Sequence, residues 1–208
     1  GNVSFYNETK DCAVYPTPVI GMVGEIEDIK NHMTMDFKDS GDFILLLGSL
    51  SGSLGGSEYL KTIHGKIEGP LANYDIDYEI AVQELCLKLI NQGIVKSAHD
   101  MSDGGLSVNI AESILHSKDK NIGAKINIES KLRDDELLFG ECQSVIIVTL
   151  NEKDLISVIS EAKDLNVHTQ TIGRVTNDKT LSINGLVSIK RDRLGSGYFN
   201  YYSELLSY

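Results

Sequence analysis

Tryptophan is absent from this sequence, and proline and cysteine occur three times each. Cys12, Cys86 and Cys142 stand too far apart for the paired spacing of a zinc site. Their odd number in an ordinary composition argues against a disulfide framework and for a reducing, cytosolic setting. Basic residues are also scarce: 19 Lys and Arg stand against 30 Asp and Glu, a formal charge of −11. No face basic enough to hold a nucleic-acid backbone is expected. No apolar run approaches the ~20 residues that a membrane span needs. The opening Gly1-Asn2-Val3-Ser4 has no initiator Met, no basic stretch and no apolar stretch, so no secretory signal is read there. The pattern starts abruptly, and the expectation is a piece of something longer.

What is present is an ordinary globular mix, 41% hydrophobic and 24% charged over 208 residues, enough to bury a real core. Val3 to Tyr6 predicts a strand, Tyr15 to Pro18 an extended segment, and Val19 to Ile26 a buried strand. A connector over 27–38 and a turn at Asp39-Ser40-Gly41-Asp42 lead into Phe43 to Leu47, an apolar run that fits a central strand covered on both faces. A short helix is predicted at about 57–64. A second, capped by Asp77, runs to Gly93 with Tyr78, Ala81, Val82, Leu85 and Leu89 inward. A third runs to about Ser117 with Leu106, Ile110, Ala111 and Ile114 inward. Then come a strand at Ile122 to Glu129, a helical turn at Asp134 to Phe139 and a strand at Ser144 to Leu150. Asn151 caps a helix that buries Leu155, Val158, Ile159, Ala162 and Leu165. Short strands at 167–175, 179–183 and 187–190 form a meander before a Tyr-rich helical tail. The pattern predicts an α/β sandwich of the α+β class, with helices packed on a mixed sheet.

The segment Ala98-His99-Asp100-Met101-Ser102-Asp103-Gly104-Gly105-Leu106 carries the most chemistry. It passes from an apolar run through acid, hydroxyl, acid and two glycines into a helix. Backbone amides there can meet a phosphate and the carboxylates a metal, which makes Asp100, Ser102, Asp103 and Gly104 a candidate accessory loop. The plainer alternative is that Ser102 or Asp103 caps the helix. The Gly/Ser-rich loop 48–57 can cradle a phosphate or serve as a connector. It is neither a P-loop, since the nearest lysine is Lys61, nor a dinucleotide fingerprint. His99 reads as a hydrogen-bonded structural histidine, and Cys142 as a small buried hydrophobe with no His or Asn arranged to activate it.

These pieces together resemble the second half of the synthetase subunit of the phosphoribosylformylglycinamidine synthase family. The resemblance rests on Asn2-Val3-Ser4-Phe5-Tyr6-Asn7-Glu8, Tyr15-Pro16-Thr17-Pro18-Val19-Ile20-Gly21, Leu54-Gly55-Gly56-Ser57-Glu58-Tyr59, His99 to Leu106, Phe139-Gly140-Glu141-Cys142-Gln143-Ser144 and Ile172-Gly173-Arg174-Val175. The Asp-x-Ser-Asp-Gly-Gly element alone is shared with the wider aminoimidazole ribonucleotide synthetase superfamily. The resemblance implies terminal strands of a truncated ATP-binding domain and a connector over 1–37. It implies a C-terminal α/β sandwich over 38–208, like that of aminoimidazole ribonucleotide synthetase. It also implies an ATP- and Mg²⁺-dependent amidation of formylglycinamide ribonucleotide in purine biosynthesis, with ammonia drawn from glutamine. Carried over residue by residue, Gly1 contacts ATP, Asn2 ligates Mg²⁺ and Ser4 contacts the ribonucleotide. The family's catalytic histidine and acidic metal ligands have no match here, so no catalytic residue is assigned and the chain alone is expected to be inactive. Glu141-Cys142-Gln143 resembles a substrate element of the family's first half, but Cys142 replaces a Ser and Val145 stands where a basic residue is common, which implies a structural role. Implied partners are the rest of the synthetase chain, a glutaminase subunit or domain and a small bridging subunit, in the cytoplasm. The alternatives are another ATP-dependent synthetase of the superfamily, or a non-catalytic nucleotide-binding or scaffold domain.

Overall fold

A computed structural model describes residues 7–10, 13–14 and 19–205. Two units separate, 1–30 and 31–208. In the first, β1 (Asn7–Glu8) pairs antiparallel with β2 (Ala13–Val14), with Asn7 opposite Val14. The strand expected at Val3 to Tyr6 and the extended Tyr15 to Pro18 lie outside the described residues. The buried strand expected at Val19 to Ile26 is not formed: the segment makes no strand pairing, and Val19, Ile20, Met22 and Val23 are almost wholly exposed. An apolar run becomes a buried strand only where a sheet receives it.

The second unit is a seven-stranded sheet. Its strands are β3 (Phe43–Leu47), β4 (Val95–Asp100), β5 (Gly123–Ile126), β6 (Ile146–Leu150), β7 (Thr169–Thr176), β8 (Thr180–Ile183) and β9 (Val187–Lys190). Their spatial order is β4-β6-β3-β7-β5-β8-β9. Every neighbouring pair is antiparallel except β5 and β8, so the sheet is mixed as the sequence predicts. The late strands do not form a simple meander. β5 is inserted between β7 and β8, and the Thr176–Thr180 turn carries the chain past it. Asp178 tightens that turn by accepting from Thr176 Oγ1 and Thr180 N.

The helices are α1 (Glu58–His64), α2 (Ile76–Asn91), α3 (Gly105–Leu115), α4 (Asp134–Phe139), α5 (Leu155–Asp164) and α6 (Arg191–Leu205). Asp75, not Asp77, caps α2, its Oδ1 accepting from the amides of Asp77 and Tyr78. A carboxylate cap must precede the amides it satisfies, and Asp77 already lies in the first turn. Ile159, expected inward, is 44% exposed because Val158 and Ala162 set the buried stripe of α5.

Alternation along β3 explains why Ile44 to Leu47 are all apolar. Ile44 and Leu46 enter one core with Leu106, Ile110, Ile114, Ala124, Ile126, Ile147, Ile172, Leu181 and Ile183. Leu45 and Leu47 enter the other, with Val82, Leu85 and Leu89 of α2, Val158 and Ala162 of α5, and Val95, Val148 and Leu150. Cys86 lies in this second core, and burial pushes its thiol up to about 11. At the far end of the fold the buried Arg191 guanidinium donates to the carbonyls of Leu115, Ser117 and Asp119, closing the open C-terminus of α3.

Asp42 is a buried carboxylate with a single ionic partner at hydrogen-bond distance, Lys96. Its Oδ1 lies 2.7 Å from Lys96 Nζ, while the buried Oδ2 has no hydrogen-bond partner among the described residues. Burial pushes this carboxyl up against the opposing pull of Lys96. Lys96→Met is expected to cost about 2 kcal/mol, with part of the loss screened by solvent around the half-exposed lysine. Asp42 binds its proton more tightly folded than unfolded, and removing Lys96 widens that difference. The deficit is therefore full above the carboxylate range and shrinks as pH falls through it. Urea unfolding of wild type and variant at about pH 5 and about pH 8 checks this, a larger loss at the higher pH being expected.

Candidate functional site

Three loops converge beside α1 and α3. The first, 48–57, leaves the buried end of β3. Ser57 ends it by capping α1, accepting from Leu60 N and donating to the carbonyl of Leu54. Tyr59 stacks on Phe139 with ring centroids 4.8 Å apart, which holds α1 against the end of α4. The second, 101–104, joins β4 to α3. Buried Met101 anchors it, its N–H donating to the carbonyl of Val145. The third, 140–144, joins α4 to β6.

Glu141 of the third loop ties the other two together. Its Oε1 accepts from Glu58 N, at the first turn of α1, and from Gly104 N, at the start of α3, both at 2.9 Å. Its own N–H donates to the carbonyl of Ser53. A fixed negative charge thus meets two orphan amides at two helix starts, where the helix dipole favours it. Cys142 is buried, and its sulfur accepts from the amide and hydroxyl of Ser51. Beside Glu141 a pocket of about 310 Å³ is bounded by Gly55, Gly56, Leu71, Ala72, Tyr74 and Gln143.

The two glycines of the motif are set by backbone geometry. Gly104 and Gly105 have φ of +79° and +63°, in the left-handed region. A Cβ on Gly105 would stand 2.6 Å from the carbonyl oxygen of Gly140. Gly104 occupies the cap position of α3, and no side chain caps that helix: the N–H of Gly104 is met by Glu141, not by Ser102 or Asp103. Asp100, Ser102 and Asp103 are exposed, with Ser102 Oγ donating to Asp100 Oδ2 at 3.2 Å. Asp103 reaches α1 electrostatically, as one of the charges that raise Lys61 after the hydrogen bond and charge of Glu58. The site therefore brings the 48–57 loop and the 100–104 loop together around Glu141, a clamp between residues 37 and 83 positions apart with no spacing to announce it.

His99 is held structurally, with Nε2 3.4 Å from Glu112 Oε2 and Nδ1 3.4 Å from Ser113 Oγ. Glu112 also accepts from the Tyr198 hydroxyl. Gly1, Asn2 and Ser4 lie outside the described residues. Among the described residues no group of three or more His, Cys, Asp or Glu side chains is placed to hold a metal ion.

Glu141→Ala leaves two amides without an acceptor and is expected to cost about 1–3 kcal/mol, with Glu141→Gln, which keeps one acceptor, costing less. Gly105→Ala meets both the left-handed penalty and the Gly140 carbonyl, and should cost at least about 2 kcal/mol. Thermal and urea unfolding of the three variants check that order of loss.

Residues 39–185 match the family described as AIR synthase related protein, C-terminal domain. The phosphoribosylformylglycinamidine synthase subunit PurL of Alkaliphilus metalliredigens is 42% identical over 191 residues, covering 91% of this chain and 26% of that protein. The same subunit from Caldanaerobacter subterraneus is 43% identical over 186 residues, covering 89% and 25%. The chain thus spans about a quarter of the length of the curated relatives it matches. A structure of Thermotoga maritima PurL complexed with FGAR aligns with a TM-score of 0.65 at 16% identity, covering 80% of this chain and 30% of that one, which shows a shared fold. With the sheet order, the helix layers and the two-glycine junction described, the chain belongs to the family of AIR synthase related proteins, as their C-terminal domain.

Proposed function

We propose that this chain is the C-terminal sandwich region of a phosphoribosylformylglycinamidine synthase synthetase subunit. In that role it contributes to ATP-dependent amidation of formylglycinamide ribonucleotide, with ammonia supplied from glutamine. The observation that carries the reading is identity of about 42% with PurL subunits over about nine-tenths of the chain. Thermotoga maritima PurL structures complexed with ATP, with FGAR and as PurLQS support the ligand and partner classes. The reading assigns Gly1 to ATP, Asn2 to Mg²⁺ and Ser4 to the ribonucleotide. Bound Mg²⁺ would neutralise phosphate charge during transfer of the phosphoryl group to the amide oxygen. The remaining metal ligands and the general catalysts belong to the rest of the synthetase chain, and a glutaminase subunit and a small bridging subunit complete the assembly. A cytoplasmic location suits the reading, and no helix among the described residues is long and apolar enough to cross a membrane.

A second reading gives the 100–104 loop a scaffold role. Glu141 favours it, because it already satisfies the Gly104 amide that an anionic ligand would seek.

Two measurements test these readings. The 208-residue chain supplied with formylglycinamide ribonucleotide, ATP and ammonia is expected to give no turnover. In the complete synthetase, Asn2→Ala is expected to lower activity on the order of 100-fold. Turnover by the chain alone, or full activity of the variant, would overturn the proposal. For the loop, calorimetry with ADP and Mg²⁺ on wild type and Asp103→Ala is expected to give equal affinities, and weaker binding by the variant would return Asp103 to the site.

A further inference from the structure

The sheet is covered unequally. On the face that carries Leu45 and Leu47, helices α2 and α5 pack over β4, β6 and β3. No residue of β7, β5, β8 or β9 enters that core. The other face of β7, β5 and β8 enters the first core through Ala124, Ile126, Ile172, Val175, Leu181 and Ile183, with Val187 of β9 packed at its edge. Among the described residues of this unit, no core layer covers the alternate positions of these strands.

Those positions form a file across the sheet. Phe43 stands opposite Arg174, Arg174 opposite Lys125, Lys125 opposite Ser182 and Ser182 opposite Ser188. At the usual strand spacing the file is roughly 19 Å long. The Arg174 guanidinium carbon sits over the Phe43 ring, 3.7 Å from its centroid. It also donates to the carbonyl of Gly41 and reaches Glu152 at 3.5 Å, an exposed and long ion pair. The Lys125 side chain forms neither a hydrogen bond nor an ion pair within the described residues, and like charges placed directly opposite each other across two strands are unfavourable. A third cation, Lys190, sits opposite Thr180 on the same face and bonds its hydroxyl.

A shallow groove of about 570 Å³ lies over this part of the sheet. Gly173 forms its floor, and Lys125, Arg174, Asn127 and Thr171 provide charge and hydrogen-bonding capacity. Among the described residues no carboxylate lines it, in a chain where acids outnumber bases 30 to 19. Glu152 is paired to Arg174, and Asp178 is turned to Thr176 and Thr180.

We propose that this open face docks an acidic amphipathic helix of another polypeptide, laid over β7, β5 and β8 as α2 and α5 are laid over β4, β6 and β3. Carboxylates of that helix would relieve the Arg174–Lys125 opposition. The length and shallowness of the file fit a helix better than a small metabolite, which a pocket normally encloses. A floor of hydroxyls and cations suits a reversible, charge-led contact rather than a permanent apolar one.

The test uses the 208-residue chain and a fluorescein-labelled helical peptide with glutamate along one face, at physiological ionic strength. Saturable binding is expected, with amide shifts concentrated in 123–126, 171–176 and 180–183. Lys125→Glu with Arg174→Glu should weaken it by roughly tenfold or more, as loss of two charge contacts requires. The milder Lys125→Gln should weaken it less, and unchanged thermal unfolding identifies a folded variant. The proposal is overturned if the peptide does not bind, if it shifts amides elsewhere, or if folded variants bind as wild type does. It is equally overturned if inorganic phosphate or ADP displaces the peptide stoichiometrically, because the groove would then be a small-anion site.

Discussion

One carboxylate holds the centre of this fold's chemistry-bearing end. Glu141 accepts the first free amides of two helices that approach from different parts of the chain. Without it, the starts of α1 and α3 would each expose an orphan donor in a half-buried place, and the three loops would have no common partner. The stacking of Tyr59 on Phe139 and the anchoring of Met101 to Val145 depend on that convergence, because each fixes one loop relative to the others. The negative charge sits where helix geometry would otherwise attract an anion from outside.

The sheet organises everything else. β3 is apolar at its four buried positions, Ile44 to Leu47, because it serves two cores at once, and its neighbours inherit that division. On one side the division is complete. On the other, four strands present polar and cationic side chains, which is why a chain of net charge −11 still carries a local basic file. The imbalance arises from topology: the crossovers that supply α2 and α5 lead to β4 and from β6, at the same end of the sheet order.

Much of the fold is legible in the sequence. The run Phe43 to Leu47, the helical turn Asp134 to Phe139 and the α3 stripe follow from period and capping, which are local signals. Misread elements involve information that is not local. Val19 to Ile26 has the composition of a strand but pairs with no strand among the described residues. The apparent meander of the late strands hides β5, inserted from earlier in the chain. At the site, the Gly104-Gly105 pair was readable as a special backbone position, whereas its partner Glu141 lies beyond any helical or hairpin spacing. The family resemblance was legible because short motifs recur in order along the chain, even where a motif's role is to shape the backbone.

Arg191 gives the tail a meaning that its composition conceals. Its guanidinium completes three carbonyls at the end of α3, so the first residue of the last helix is also the closing piece of an earlier one. A cut just before this residue would remove an appendage in sequence but a fastening in space. The C-terminal end of α3 would then open to hydrogen exchange together with the edge of the core it seals, and the two helices should be regarded as one cooperative unit of opening.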